Sequence, residues 1–185
     1  MSVQPIVRDV RGQRTFACFP AAVLACLVDP HERVLLLSHP QRKGEWEVVN
    51  GALEADETIV EGALREIREE VGAGVRARPL GSVHVCSFYY DANCPHMISI
   101  VYLLAFEGGA IEPDDDMRGS SFRWMSRADI DDAAVKLIVP RDQKWIIHRA
   151  LELYRLWKDA AVDLQPAFDP TARSKYALQR GDVLW

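Results

Sequence analysis

The chain has few cysteines, no excess of basic residues and no long apolar run, and each absence excludes a class of protein. Its 185 residues include four cysteines, too few for a disulfide-dense secreted domain, so we expect reduced thiols. The formal net charge of −5 argues against a surface that coats nucleic acid. No window approaches the apolar length of a membrane span, and the first residues lack the apolar core of a signal peptide. We therefore expect a cytoplasmic protein that binds neither nucleic acid nor a membrane.

The composition that remains is that of an ordinary globular domain. Hydrophobic residues make up 49% of the chain and charged residues 26%. The length suits one domain with extensions. We predict an N-terminal extension over 1–20, a main domain over 21–160 and a C-terminal extension over 161–185. The last segment carries Pro166 and Pro170 and shows no sustained period.

Several apolar, β-branched runs predict strands. The runs AAVLACLVD and RVLLLSHP, separated by a short polar segment, predict an antiparallel hairpin. EWEVVNG predicts a third strand that ends at Gly51, and SVHVCSFYY, MISIVYLLAF and SFRWM predict three more. Strands and helices do not alternate regularly, which favours an α+β fold with a mixed sheet over a doubly wound parallel fold.

Local sequence signals mark both ends of the clearest helix. Thr58 and Glu61 form a capping-box pattern, and Gly72 stands where a helix-terminating glycine is expected. Between them the apolar residues follow the spacing of one buried stripe. The stripe consists of Val60, Leu64, Ile67 and Val71.

Two further helices are predicted towards the C-terminus. Ser126 and Asp129 indicate a second, shorter capped helix. A long amphipathic helix is predicted from Pro140 to about Ala160, with the proline in its first turn.

Three glutamates share the face of the first helix opposite its apolar stripe. At about 100° per residue, Glu66, Glu69 and Glu70 fall within an arc of roughly 100°. Such like charges repel one another, and a hard divalent cation that prefers oxygen ligands would convert them into a ligand set. Taken alone, the segment is more typical of a solvated helix face.

The residues upstream change that interpretation, because a fixed spacing joins seven polar and glycine positions. They are Gly51, Glu57, Arg65, Glu66, Glu69, Glu70 and Gly72. The segment GALEADETIVEGALREIREEVGA resembles the Nudix box, Gly-x5-Glu-x7-Arg-Glu-aliphatic-x-Glu-Glu-x-Gly-aliphatic, with Ile67 at the internal aliphatic position. Ala73 replaces a larger aliphatic residue, and WEVVNG stands where Trp-x-x-Pro-Gly-Gly is frequent, so Asn50 must support the turn. The resemblance covers about residues 21–160.

The resemblance implies a fold and an activity. The fold would be a Nudix-type α/β/α sandwich with a mixed β-sheet. The habit of the family implies a homodimer. The activity would be hydrolysis of a diphosphate linkage in a small nucleoside diphosphate derivative, which could be a nucleotide, a dinucleoside polyphosphate or a nucleotide sugar. Mg²⁺ or Mn²⁺ would assist, and water would attack phosphorus. The implied metal ligands are Gly51, through its carbonyl, and Glu66, Glu69 and Glu70. Glu69 or Glu66 would also activate the water, and Arg65 with Glu57 would form an ion pair that aims the glutamates.

Residues outside the box are weaker candidates. An acidic turn before SFRWM supplies candidates for a further metal ligand, of which Asp116 is our choice, although a plain acidic turn remains the alternative. The candidates are Glu112, Asp114, Asp115 and Asp116. Arg42 and Lys43, in the polar loop before Trp46, would meet substrate phosphates unless they belong to an exposed hairpin loop.

The sequence says less about the substrate. Tyr89 and Tyr90 lie sixteen and seventeen residues after Ala73, similar to relatives that cleave dinucleoside polyphosphates. Phe88 stands where relatives that cleave ADP-ribose carry proline. This favours nucleoside polyphosphates, with Tyr89 as the binding residue, although paired aromatics are also common in strands.

Three alternative interpretations remain open. The chain could be a nucleotide-sensing Nudix-like module without catalysis, although all the box glutamates are present. It could be an isomerase of the isopentenyl-diphosphate type that uses a cysteine, Cys86 or Cys94. A structural zinc site could also form from two alternating pairs on a predicted hairpin. Its ligands would be His84, Cys86, Cys94 and His96.

Overall fold

The computed structural model describes residues 5–9 and 11–159. The predicted C-terminal extension, 161–185, lies outside the described residues. The strands are β1 (Ile6–Arg8), β2 (Thr15–Ala17), β3 (Ala21–Val28), β4 (Val34–Ser38), β5 (Glu45–Glu47), β6 (Val49–Ala52), β7 (Arg76–Phe88), β8 (Met97–Gly108), β9 (Ser121–Met125) and β10 (Lys136–Val139). The α-helices are α1 (Ile59–Glu66), α2 (Arg127–Asp131) and α3 (Lys144–Trp157).

The main sheet is mixed and is built around β3. Its strands follow the order β10-β5-β4-β3-β8-β7, with β6 also pairing with β3 and β9 with β4. The pairs β3–β8 and β10–β5 are parallel, whereas β3–β4 and β7–β8 are antiparallel. The predicted α+β class and the predicted hairpin of β3 and β4 are therefore confirmed.

Both faces of β3 are buried because helices cover the sheet on each side. Val23, Ala25 and Leu27 pack in one core with residues of α1. Leu24 and Cys26 point to the opposite face and pack in a second core with residues of α3. Alternate residues of a strand point to opposite faces, so a continuous apolar run is what this position in a sandwich requires. The predicted α/β/α arrangement is confirmed.

The first helix begins as predicted but changes its geometry before it ends. Thr58 and Glu61 form a capping box, with the Thr58 hydroxyl accepting from the Glu61 amide at 3.2 Å and the Glu61 carboxylate accepting from the Thr58 amide at 2.8 Å. Regular α-helix ends at Glu66, and Ile67–Val71 forms a π-helical turn that ends at Gly72, whose φ is 138°. The wider turn places Glu69 and Glu70 differently from a helix of uniform period.

The predicted helix start at Pro140 is wrong. Residues 136–139 form β10, which pairs in parallel with β5, and α3 begins only at Lys144. Residues 140–142 form a turn in which Asp142 has a φ of 51° and its amide donates to the Leu137 carbonyl, so the helix begins only after it. The short capped helix at Ser126 and Asp129 is confirmed as α2.

Two strand predictions also need correction. EWEVVNG divides into β5 and β6, which pair with different neighbours. Tyr89 and Tyr90 were expected in a strand, but β7 ends at Phe88 and both side chains are exposed.

The first twenty residues contribute a separate two-stranded sheet. β1 and β2 pair with each other, and Ile6, Val7 and Phe16 on them are exposed. The domain boundaries at 20 and 160 stay a prediction. Within residues 5–9 and 11–159, no helix is long and apolar enough to cross a membrane.

Candidate active site

Arg65 connects the loop after β6 to the helix that carries the glutamates. Its Nε donates to Glu57 Oε1 at 2.8 Å, and its Nη2 donates to Glu57 Oε2 at 3.1 Å and to the Ala52 carbonyl at 2.9 Å. Its Nη1 donates to Glu66 Oε1 at 2.8 Å and to Glu69 Oε2 at 2.7 Å. One guanidinium therefore holds three carboxylates and one backbone carbonyl of the box.

The charges of this cluster stabilise one another. Hydrogen bonds from Arg65 lower the pKa of Glu57, against the opposing effect of burial. Hydrogen bonds to Glu57, and then to Glu69 and Glu66, raise the pKa of Arg65. The predicted ion pair of Arg65 and Glu57 is confirmed as a contact, and its catalytic importance stays a prediction.

Gly51 makes room for Glu66. A Cβ at position 51 would lie 2.0 Å from Glu66 Oε1, so any side chain there would occupy the space of the carboxylate. Glu66 is only 6% exposed. Burial raises its pKa, while Arg65 acts in the opposite direction. The structure thus brings these two predicted ligands into direct contact.

Glu70 lies in the same site and is partly buried. Asn50 lies in β6 and not in the turn that the sequence predicted, and its amide donates to Glu70 Oε2 at 3.2 Å, which ties β6 to the end of the helix. The pKa of Glu70 is raised to about 8, chiefly by burial; the hydrogen bond from the Asn50 amide opposes this, and the neighbouring carboxylates Glu66, Glu47 and Asp116 add to it. The predicted loop acid Asp116 is therefore near enough to Glu70 to interact with its charge.

Glu47 belongs to this site although the sequence reasoning missed it. It is 5% exposed on β5, and its Oε1 accepts from Arg42 Nη2 at 2.5 Å. A glutamate inside the apolar segment WEVV, with an arginine five residues before it, was the available signal. Arg42, predicted to bind substrate, thus compensates a buried carboxylate.

The other predicted substrate residues lie apart from the glutamates. Lys43 is exposed after a 3-10 turn, and Tyr89 is exposed beyond β7. In the part of the chain that the structure describes, neither side chain is joined to a box residue by a hydrogen bond, ion pair or ring contact. Their roles stay predictions.

The box carboxylates offer the oxygen atoms that a hard cation prefers, but in this structure they are not close enough together to bind one. Among the described residues, no three His, Cys, Asp or Glu side chains lie close enough together to hold a metal ion. The zinc set of His84, Cys86, Cys94 and His96 is therefore not assembled. Glu66 and Glu69 turn towards Arg65, so that one guanidinium faces these two carboxylates and Glu57, and burial raises the pKa values of Glu66 and Glu70. The charge compensation of the site is therefore incomplete. A divalent cation with oxygen ligands is the group that would complete it.

A cleft of about 520 Å³ opens beside Glu69. Its walls are the π-helical turn with the two residues that follow, and the loop between β8 and β9. Six lining residues are charged: Arg68, Glu69, Glu112, Asp114, Asp115 and Arg118. The others are Gly72, Ala73 and Pro113.

Comparisons with known proteins agree with this geometry. The family model described as NUDIX domain matches residues 19–148. An ADP-ribose pyrophosphatase from Methanocaldococcus jannaschii is 28% identical over 117 residues, which are 62% of this chain and 68% of that protein. The NAD-capped RNA hydrolase NudC from Photobacterium profundum is 29% identical over 123 residues, and the chain spans only 43% of its length.

A solved structure shares the fold at low identity. An ADP-ribose pyrophosphatase from Streptococcus suis 89-1591 aligns with a TM-score of 0.58 at 17% identity, over 75% of this chain and 93% of that one. The predicted Nudix fold is thus confirmed. The predicted class of enzyme, a Nudix pyrophosphohydrolase, is confirmed by the family model together with the relatives above. Because the family model matches most of the chain, and its box residues meet around Arg65, the chain belongs to the NUDIX domain family.

Proposed function

We propose that the chain hydrolyses the diphosphate linkage of a small nucleoside diphosphate derivative with the help of Mg²⁺ or Mn²⁺. The observation that carries the proposal is the set of hydrogen bonds from Arg65. They join Glu57, in the loop after β6, to Glu66 and Glu69 on the helix that follows. Similarity to an ADP-ribose pyrophosphatase and to NudC supports the same class of bond. The absence of nucleic-acid and membrane partners, a homodimer and a cytoplasmic location remain predictions.

Each residue of the box has a different role in the proposed reaction. Glu66, Glu69 and Glu70, with the Gly51 carbonyl, would hold the cation, which would neutralise charge on the diphosphate. Glu69 is the best candidate to accept the proton of the attacking water, because its side chain is 41% exposed whereas that of Glu66 is 8% exposed. The water oxygen forms the new bond to phosphorus, the bridging P–O bond breaks, and Arg65 holds Glu69 in place.

A substrate panel tests the proposal. Release of mononucleotide from nucleoside diphosphate derivatives should require Mg²⁺ or Mn²⁺, and Glu69→Gln should lower kcat about 100-fold or more, since removing a general base has effects of this size. Glu107→Gln is the matched control, because Glu107 is 45% exposed and also accepts from an arginine at 2.8 Å. Full activity of folded Glu69→Gln would refute the role of Glu69. No turnover of any panel member would favour a nucleotide-sensing module.

The cation can be tested without turnover. Binding of Mg²⁺ should raise the melting temperature of the protein, because it compensates the buried carboxylates of Glu66 and Glu70. Glu70→Gln should weaken this effect, while Glu107→Gln should not. An equal rise in all three proteins would show that the cation binds elsewhere.

A further inference from the structure

The last strand of the main sheet, β7, has one long edge without a partner strand. β7 stands at the end of the strand order and, within residues 5–9 and 11–159, pairs only with β8. A free strand edge presents backbone N–H and C=O groups that can pair with another strand. Proteins usually protect such an edge with charged residues, proline, bulges or a short strand. Only one half of β7 carries such protection.

The first half of β7 is protected by bulges, proline and charge. All the register shifts in its pairing with β8 lie between Arg76 and His84. Pro79 and Gly81 also lie in this half, and Arg76 and Arg78 add two charges. A further strand could not pair evenly along such an edge.

The opposite end of the sheet is protected as well. The strand there, β10, has only four residues and is followed by Pro140. Its first residue, Lys136, is exposed and forms an ion pair with Glu45 on β5. A short edge strand that carries a lysine is a poor template for pairing with another chain.

The second half of β7 has none of these features. Residues 84–88 pair one-to-one with residues 97–101 of β8, without a register shift. They include no proline and no Asp, Glu, Lys or Arg. Val85 is 56% exposed, and Phe88 is also exposed. Residues 84–88 therefore form an open, regular and uncharged edge with apolar side chains in contact with solvent.

A second copy of the chain fits this edge in charge. Each copy has a formal net charge of −5, so surfaces that carry acidic residues repel one another when two copies approach. Residues 84–88 avoid this repulsion because none of them is acidic or basic. The segment 161–185 of the same chain has no five consecutive residues that are free of both charge and proline. It is therefore less suited to this edge than the edge is to itself.

We propose that residues 84–88 of two copies pair as antiparallel strands and join the two main sheets into a homodimer. The twofold axis passes through the pair formed by Cys86 and the partner's Cys86, at the centre of the regular segment. Such pairing satisfies the backbone groups that the edge leaves free. The resemblance to the family implies a homodimer without its surface, and the geometry of β7 assigns that surface.

The same pairing covers the exposed side chains beside the edge. Val85 lies opposite the partner's Ser87, and His84 lies opposite the partner's Phe88. His84 contacts Trp145 of α3, with ring centroids 4.9 Å apart, and Trp145 is exposed. Alternate residues of a strand share a face, so Phe88 lies on the same side as this aromatic pair. Each phenyl ring therefore lies beside the aromatic pair of the other copy.

The proposed interface is separate from the box residues, although it lies on the same sheet. Gly51, Val23, Ile100 and Val85 are successive partners across β6, β3, β8 and β7. Three strand spacings of about 4.8 Å place Val85 about 14 Å from Gly51. A substitution at the edge should therefore change association without displacing the box carboxylates.

Sedimentation equilibrium of the full chain tests the interface. The wild type should be a dimer, and Val85→Lys should raise the dissociation constant at least about tenfold, because it replaces buried apolar surface by like charges near the axis. Val7→Lys is the matched control, because Val7 is 52% exposed on β1 and lies outside the edge. It should leave the dissociation constant unchanged. Melting temperatures should confirm that both variants are folded.

Two results would overturn the proposal. One is a wild type that stays monomeric up to about 1 mM, as expected if the segment 161–185 covers the edge. The other is an equal dissociation constant in Val85→Lys and the wild type. A dimer that is weakened by Val7→Lys alone would place the interface on the sheet of β1 and β2 instead.

Cysteine cross-linking tests the position of the axis. Opposed residues of antiparallel strands have Cα atoms about 4.5–5.5 Å apart, which is within the range of a disulfide. Mild oxidation of the wild type should therefore give a covalent dimer, and Cys86→Ser should lose it while still sedimenting as a dimer. Cys94→Ser is the matched control, because Cys94 is likewise half-buried and lies beyond the end of β7. A wild-type dimer without the cross-link, or a cross-link that persists in Cys86→Ser, would overturn the assignment.

Discussion

At the residue scale, Gly51 provides the space in which the Glu66 carboxylate lies. The three atoms nearest to a Cβ at this position all belong to the tip of Glu66. Gly51→Ala should therefore displace that carboxylate rather than the backbone. We expect activity to fall about 10- to 100-fold, as when metal-ligand orientation is lost, while the free energy of unfolding changes by less than about 1 kcal/mol.

Steady-state kinetics and urea unfolding measure the two effects of Gly51→Ala. Gly74→Ala is the matched control, because a Cβ there would meet nothing within 4 Å. Wild-type activity in Gly51→Ala would show that Glu66 can leave its position without consequence.

The five hydrogen bonds of Arg65 also depend on the shape of one side chain. A lysine keeps the charge but cannot present donors at once to Glu57, Glu66, Glu69 and the Ala52 carbonyl. Arg65→Lys should lower the free energy of unfolding by about 1–3 kcal/mol, the cost of leaving partly buried acceptors unpaired. Urea unfolding measures it, with Arg123→Lys as the control at a half-exposed arginine that donates to Asp129. Equal stability of the two variants would contradict this account.

The sequence predicted which box residues lie together, because their spacing along the chain is local. It missed Glu47, because the burial of that residue depends on strands that are distant in the sequence. Glu57, Arg65 and Glu66 lie on one loop and the helix that follows it, so a fixed spacing is enough to bring them together. Glu47 is buried because β4 and β10 flank β5, and β10 comes some ninety residues later. The same reason explains the prediction that Arg42 binds substrate, because the burial of its partner, Glu47, could not be predicted from the sequence.

At the element scale, the capped starts of α1 and α2 were predictable, whereas the start of α3 and the change of geometry within the first helix were not. The capping boxes of α1 and α2 each join residues three apart, so the pattern is complete in the sequence. The π-helical turn Ile67–Val71 has no such pattern. Ile67 and Val71 are both buried in the core on the α1 side, and this tertiary packing accompanies the widened turn.

The capping box of α1 gives a prediction for the whole helix. Thr58→Ala removes the hydroxyl that accepts from the Glu61 amide, and should lower the free energy of unfolding by about 1 kcal/mol. Thr58→Ser keeps the acceptor and should retain most of the stability. Thermal unfolding of both variants measures the difference. If serine were as destabilising as alanine, the lost interaction would be the packing of the methyl group and not the cap.

At the scale of the whole molecule, two cores on opposite faces of one sheet bring distant segments together. The core beside α1 lies under the candidate active site, whereas the core beside α3 lies on the other face. The composition predicted a globular domain and the order of predicted strands and helices an α+β fold, but the register between β3 and β8 and the place of α3 depend on contacts between distant segments. Glu32, in the turn between β3 and β4, joins that turn to α3 through Arg155 and Lys158.

This connection predicts a dependence of stability on pH. The hydrogen bond from Arg155, whose Nε lies 2.6 Å from Glu32 Oε2, lowers the pKa of Glu32 in the folded protein, with Lys158 adding to the effect. A group with a lowered folded pKa stabilises the fold above its unfolded pKa, about 4.3 for glutamate, and this contribution is lost as the pH falls through the folded pKa. Glu32→Gln should therefore melt at a lower temperature than the wild type at neutral pH, and the melting temperatures of the two proteins should converge in strong acid.

Scanning calorimetry at both pH values measures this difference. Glu152→Gln is the control for removing a single exposed charge that is paired with Arg127. A constant difference between wild type and Glu32→Gln at all pH values would mean that the side chain stabilises the turn without its charge.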